Sequence, residues 1–172
     1  MNIKIRSEVA GDYDAITSIN EEAFKQKQEG NLIINLRKRS EFLPDLSLVA
    51  EINNKPVGHI LFSPVSIISG DKSFGTLSLA PMAVLPEFQK MGVGGALIMH
   101  GLKKAQSLGY KSVVVLGHPD YYPRFGFRRA SQWKIRATFD APDEALMAIE
   151  LEPGSLNFGG GIIEYPKEFS DV

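Results

Sequence analysis

The chain contains no cysteine among its 172 residues. This absence excludes disulfide frameworks, zinc sites with thiolate ligands and catalysis by a cysteine nucleophile. Histidine is scarce as well. The three histidines are scattered along the sequence without the spacing of a metal-ligand motif, so we expect no metal site.

Long apolar runs and an excess of one charge sign are also missing. No window approaches the ~20 apolar residues that a membrane-spanning helix requires. Residues Met1–Arg6 alternate between apolar and polar side chains, unlike the continuous apolar segment of a signal peptide. The formal net charge of −1 gives no electrostatic attraction to nucleic acid or to an anionic bilayer. We therefore expect a cytoplasmic protein that binds neither nucleic acid nor membranes.

The composition is that of an ordinary globular domain. Hydrophobic residues make up 44% of the chain and charged residues 23%. A chain of 172 residues suffices to bury one substantial core, and no repeat or linker divides it. The sequence thus predicts one domain over residues 1–172.

The first third of the chain predicts a strand and two helices. Alternating apolar residues between Ile3 and Val9 indicate an opening strand, and Asp12 is placed to cap the helix that follows. A second, short helix is predicted over Leu32–Arg39, with Gly30 and Pro44 marking its limits.

The middle of the chain predicts an antiparallel meander followed by a helix and a buried strand. The turn Asn53-Asn54-Lys55 favours a hairpin because asparagine tolerates positive φ. Gly109 stands where a helix stop is expected. The predicted elements are strands over Leu46–Ile52, Pro56–Ile68 and Phe74–Val84, a helix over Gly92–Leu108, a strand over Ser112–Leu116, a short helix over Asp120–Phe125, and closing strands from Phe127 onward and over Ala145–Leu151.

Three glycines, Gly92, Gly94 and Gly95, lie at the start of the predicted helix. Each glycine inside a helix costs roughly 0.5–1 kcal/mol relative to alanine, so the cluster requires a reason. One reason is anion binding, because a helix N-terminus exposes unpaired N–H groups that a phosphate can approach closely. The other is close packing of the helix against a strand. Leu97 replaces the third glycine of a dinucleotide fingerprint, and the Lys-Ser/Thr pair of a P-loop is missing.

The segment Gln89-x-x-Gly92-x-Gly94 is similar to the (Arg/Gln)-x-x-Gly-x-(Gly/Ala) signature of the GNAT superfamily of N-acetyltransferases. The segment Val115–Phe127 also resembles this superfamily, where a Tyr lies four residues before the Gly of a Gly-Phe pair. At the position where family members have Asn after the central strand, this chain has Gly117-His118. Three further stretches look like a bacterial branch of predicted GNAT proteins, namely Ser47–Glu51, Val57–Ile60 and Leu151–Gly154.

The resemblance implies an α/β fold of the α+β type in a single GNAT-like domain. It implies a mixed, mostly antiparallel sheet with a central splayed strand pair and helices on both faces. It also implies acetyl-CoA as co-substrate, with the strand end before the turn pairing with pantetheine, the turn holding the pyrophosphate and the Gln89 side chain closing the loop. The implied cofactor-binding residues are Met82, Ala83, Val84, Gln89, Lys90, Met91, Gly92, Val93, Gly94, Gly95 and Ala96.

The activity implied by the resemblance is transfer of an acetyl group to a primary amine by direct attack. Tyr122 holds the family position of the general acid that protonates the thiolate, and Tyr121 is a second candidate. The acceptor, a small-molecule amine or a protein amine, stays open, as does a homodimer. The alternative function is a non-catalytic acyl-CoA-binding sensor or partner module. Candidates for the general base are Glu21, Glu22, Glu51, His59 and His118.

Overall fold

The computed structural model describes residues 1–172, apart from the side chain of Asp171. Its helices and strands follow one another in mixed order. They are β1 (Lys4–Ser7), α1 (Tyr13–Phe24), α2 (Gln28–Arg37), β2 (Ser47–Ile52), β3 (Lys55–Ser69), β4 (Lys72–Val84), α3 (Val93–Ser107), β5 (Ser112–Leu116), β6 (Arg128–Arg129), β7 (Ile135–Ala137), β8 (Leu146–Glu150) and β9 (Gly161–Glu164). Among the described helices, none combines the length and apolar character needed to cross a bilayer.

The chain divides into two compact units. The first unit comprises residues 1–63, 80–104 and 167–172, and the second comprises residues 64–79 and 105–166. Strands β3 and β4 are long enough to contribute residues to both units.

In the first unit, β1, β2 and β3 form an antiparallel sheet with β4 beside β3. The hairpin between β2 and β3 turns at Asn53 and Asn54, whose φ values are 52° and 63°. Both lie in the left-handed region that asparagine tolerates, which confirms the predicted turn.

Helices cover both faces of this sheet. Alternation along β3 places His59 and Leu61 on one face and Gly58 and Phe62 on the other. Leu61 packs in a core with residues of α1 and α2. On the opposite face α3 lies close to β3, because Gly101 leaves room for the ring of Phe62: a methyl group there would be 2.5 Å from the Phe62 Cζ.

In the second unit, β5 pairs parallel with β4 and antiparallel with β8, and β6 pairs antiparallel with β8. Strand β9 pairs antiparallel with β3 and parallel with β7, so the sheet is mixed and mostly antiparallel. The parallel β4–β5 register comprises the pairs Leu77–Val113 and Ser78–Val114. The apolar core of this unit includes residues such as Ile67, Val114, Ile135, Ala148 and Ile163.

Two predicted helices differ from the observed ones, the first because of packing and the second because of a proline. Helix α2 begins at Gln28, not Leu32, and Gly30 lies inside it instead of before it. Glycine is favoured there because a methyl group would lie 3.2 Å from the Thr17 Cγ2 of α1. The helix predicted over Asp120–Phe125 is a 3₁₀ turn over Tyr122–Phe125, which contains Pro123.

Candidate functional site

The predicted site begins with a strand–turn–helix segment in the first unit. Strand β4 ends at Val84, a 3₁₀ turn spans Pro86–Phe88 and α3 starts at Val93. The Leu85 N–H donates to the Val57 carbonyl at 2.9 Å, which fixes the start of the turn to β3. The turn itself has positive φ at Lys90 (63°) and Gly92 (87°). The positive φ explains the glycine at position 92. Packing does not explain it, since a methyl group there would meet no heavy atom within 4 Å.

The amides at the start of α3 are available to an anion. The Ala96 N–H donates to the Gly92 carbonyl at 3.0 Å, which is the first hydrogen bond of the helix. The N–H groups of Val93, Gly94 and Gly95 precede that bond and have no acceptor within the helix. Gly94 and Gly95 are partly exposed, and they have no Cβ that would cover their amides. These donors carry the partial positive charge of the helix N-terminus, so the segment can hold a phosphate group.

The Gln89 side chain links the turn back to the strand. Its Nε2 donates to the Val84 carbonyl at 3.0 Å, across five residues of chain. The side chain thereby joins the start of the turn to the strand end, which is the contact that the resemblance implies for Gln89.

The packing explanation for glycine applies at other positions of the same helix and strand. A methyl group at Gly58 would lie 3.0 Å from the Val93 Cγ1 and 3.1 Å from the Leu97 Cδ1. Gly58 and Gly101 therefore serve close helix–strand contact, whereas Gly92 serves the conformation of the turn.

The strand end Met82–Val84 leads into this turn. Ala83 and Val84 are buried and Met82 is half-buried. These three residues form the last part of β4 before the turn.

The tyrosine pair lies in the second unit. Tyr122 is 8% exposed, and its ring packs edge-to-face against Phe127 and Tyr121 at centroid distances of 5.6 and 5.3 Å. Burial raises the pKa of Tyr122 to about 12, and the nearby Tyr121 acts in the same direction. Tyr122 is therefore a protonated phenol at any ordinary pH.

Tyr121 has a different environment. It is half-buried, and the Arg124 guanidinium lies 4.7 Å from its ring centroid. Burial raises the pKa of Tyr121, while Arg124 opposes this shift because a cation favours the phenolate.

The predicted base candidates lie in contrasting surroundings. Glu51 is bound by the Arg6 guanidinium, which also donates to Asp12.

Three of the other base candidates are more exposed. His118 is exposed, and its Nδ1 accepts from the Asp120 N–H at 3.2 Å. On α1, Glu21 is half-buried and Glu22 is exposed.

His59 belongs to a buried polar network that the sequence does not reveal. Its side chain is fully buried, and burial lowers its pKa to about 3. Its Nε2 lies 2.8 Å from the Ser47 hydroxyl, which donates to Glu8, and Arg37 donates twice to the same carboxylate at 3.0 Å. Arg37 is 29 positions from Glu8, so no local sequence pattern signals the contact.

Comparison with known proteins identifies the family. The acetyltransferase (GNAT) family model matches residues 13–127. An uncharacterized N-acetyltransferase of Escherichia coli K12, YjhQ, is 39% identical over 134 residues, covering 77% of this chain and 74% of that protein. A second one, YhbS, is 31% identical over 167 residues, covering 96% and 98%.

Solved structures agree with this assignment. The crystal structure of YhbS from Escherichia coli in complex with CoA has a TM-score of 0.90 and 29% identity, covering 99% of this chain and 93% of that one. A GNAT family acetyltransferase from Brucella melitensis in complex with acetyl-CoA has a TM-score of 0.79 and 32% identity, covering 98% of each chain. The chain therefore belongs to the acetyltransferase (GNAT) family of enzymes.

Proposed function

We propose that this enzyme transfers an acetyl group from acetyl-CoA to a primary amine by direct attack. The observation that carries the proposal is the strand–turn–helix segment with its open amides at the start of α3. The relatives crystallised with CoA and acetyl-CoA support the same donor.

The donor would bind along the strand end and the turn. We assign the pyrophosphate to the amides from Lys90 to Gly95. The Ala96 N–H is already donated to Gly92, so Ala96 would line the site without donating to the phosphate. Met82, Ala83 and Val84 would pair with the pantetheine arm through main-chain groups, with Gln89 holding the two parts together.

The chemistry requires three events. A neutral amine nitrogen forms a bond to the thioester carbon, and main-chain N–H groups of the strand end stabilise the oxyanion. Collapse breaks the carbon–sulfur bond and releases the CoA thiolate. Tyr122 donates its phenolic proton to that sulfur, and the ammonium nitrogen loses a proton to a base. A pKa of about 12 ensures that Tyr122 carries the proton it must donate.

A thiol-release assay with acetyl-CoA and a panel of amines tests this proposal. Tyr122→Phe should lower kcat by about 100-fold or more while acetyl-CoA binding is retained, because general acid catalysis contributes 10²–10⁴-fold. Tyr165→Phe is a matched control, since burial also raises the pKa of Tyr165 to about 12 and it lies in the same unit.

The outcomes separate catalysis from cofactor sensing. Binding of acetyl-CoA without thiol release for any amine would favour a non-catalytic acyl-CoA-binding module. Equal turnover in Tyr122→Phe and the wild type would remove Tyr122 from the mechanism. A single domain over residues 1–172 and a cytoplasmic location stay predictions.

A further inference from the structure

We infer that Gly117 is a positioning residue for Tyr122, and this inference rests on the proposed acid role of that tyrosine. Gly117 directly follows β5, and its N–H donates to the Ala145 carbonyl at 2.9 Å. The backbone at Gly117 is therefore fixed to the segment that enters β8, and it provides a rigid surface beside the tyrosine.

The ring of Tyr122 lies directly on this surface. A methyl group at Gly117 would lie 2.7 Å from Cδ2 of Tyr122, closer still to Cε2 and 3.3 Å from Cζ. Carbon atoms in packed interiors approach to roughly 3.5–4.0 Å. Any side chain at position 117 would therefore have to push the ring away from its present place.

The ring has little freedom to yield. Phe127, which is 2% exposed, contacts it edge-to-face, and so does Tyr121. The Tyr122 N–H also donates to the His118 carbonyl at 3.4 Å, which restrains the backbone. A shift of about 1 Å to relieve the contact would be carried to the hydroxyl at the end of the ring. Displacement of a reacting group by this amount can cost about 100-fold in rate.

Steric contact, not backbone conformation, requires glycine at this position. The φ of Gly117 lies outside the positive range, in contrast to Gly126, whose φ is 100°. Alanine is therefore allowed by the backbone, and Gly117→Ala changes the space beside the ring without adding backbone strain.

A double-mutant cycle tests the inference with the most active amine of the panel. We expect Gly117→Ala to lower kcat by about 100-fold with the Kd for acetyl-CoA unchanged. In the Tyr122→Phe background, Gly117→Ala should cause no further loss of kcat, because the hydroxyl that it displaces is already gone. Gly75→Ala is the matched control: Gly75 is exposed, has no positive φ and has no heavy atom within 4 Å of a methyl group.

The outcomes distinguish failure of the inference from failure of the proposed function. Full turnover in Tyr122→Phe would overturn the acid role and the inference together. A low kcat in Tyr122→Phe that Gly117→Ala lowers again by the same factor would overturn the inference alone, since the two residues would then act independently.

A stability measurement keeps the contact testable without turnover. We expect Gly117→Ala to lower the melting temperature by about 5 °C, as overpacking does in a domain of this size. In the Tyr122→Ala background, where the ring is removed, the same substitution should shift the melting temperature by less than about 1 °C. Equal shifts in both backgrounds would show that Gly117 does not act through the Tyr122 ring.

Discussion

The Nε2 atom of His59 lies 2.8 Å from the hydroxyl of Ser47, and both side chains are fully buried. Ser47 has one hydroxyl proton, and it donates that proton to the Glu8 carboxylate. His59 must therefore donate its Nε2–H to Ser47, which leaves the Nδ1 lone pair free. Among the described residues, Nδ1 has no hydrogen-bond partner. Because burial lowers the pKa of His59 to about 3, its imidazole is neutral at pH 7, with the proton on Nε2.

This arrangement predicts a loss of stability in mild acid. The pKa of His59 falls from 6.5 to about 3 in the folded state, mainly through burial and then through the Arg37 charge, while Asp12 acts in the opposite direction. Below pH 6.5 His59 binds a proton in the unfolded chain but stays neutral in the folded chain. The free energy of unfolding therefore decreases as the pH falls. From pH 7.5 to 5.0 we expect a loss of about 2 kcal/mol, measured by urea unfolding.

His59→Gln should remove this part of the acid sensitivity, since glutamine does not titrate. His100→Gln is the control, because His100 is exposed on α3 and should leave the pH dependence as in the wild type. An unchanged slope between pH 7.5 and 5.0 in the His59 variant would show that another group causes the loss.

The Arg37–Glu8 pair should contribute strongly to stability. Its side chains are 12% and 3% exposed, and Arg37 also lies 3.8 Å above the ring of Tyr13. Arg37→Met leaves the buried Glu8 carboxylate without a cationic partner, so we expect a loss of about 3 kcal/mol in the free energy of unfolding. In Arg129→Met the equivalent loss should stay below about 1 kcal/mol, because Arg129 and Asp143 are 62% and 54% exposed. Equal losses in guanidinium unfolding would contradict this difference.

The glycine turn should control acetyl-CoA affinity. A valine at Gly94 places a branched side chain beside the open amides of α3, so we expect the Kd for acetyl-CoA to rise by about tenfold or more in calorimetry. Gly75→Val, a change of the same size at an exposed position in the second unit, should leave the Kd unchanged. Wild-type affinity in Gly94→Val would place the pyrophosphate elsewhere.

Alkaline conditions should destabilise the fold through its buried tyrosines. Burial raises the pKa of Tyr122 and of Tyr165 from 10 to about 12. Between pH 10 and 12 the unfolded chain loses these protons while the folded chain retains them, so the free energy of unfolding decreases as the pH rises. Each tyrosine should contribute about 2–3 kcal/mol to this decrease.

The phenylalanine variants test the assignment. Tyr122→Phe and Tyr165→Phe should each show a smaller drop in stability between pH 10 and 12 than the wild type, when unfolding is followed by circular dichroism. If neither variant changes the drop, these two phenols do not cause it.

Local patterns were sufficient for the elements that depend on neighbouring residues. The Asn53-Asn54 turn follows from the tolerance of asparagine for positive φ, and Gly109, with φ of 91°, stops α3 as predicted. The predicted bounds of strands β2 to β5 lie within two residues of the observed ones, because the apolar pattern of each strand is clear. The N-terminus of α2 and the short strands β7 and β9 were not predicted, because packing against α1 and pairing with distant segments determine them.

The family resemblance and the position of the glycine turn follow from the sequence, because Gln89, Gly92 and Gly94 lie within one short segment. The tertiary structure alone decided how the remaining groups are held. It closed Gln89 onto Val84, buried His59 beside Ser47 and placed the Tyr122 ring on Gly117. The His59–Ser47 contact joins residues 12 positions apart on two strands, and the strand register that brings them together is set by side-chain burial across the whole sheet.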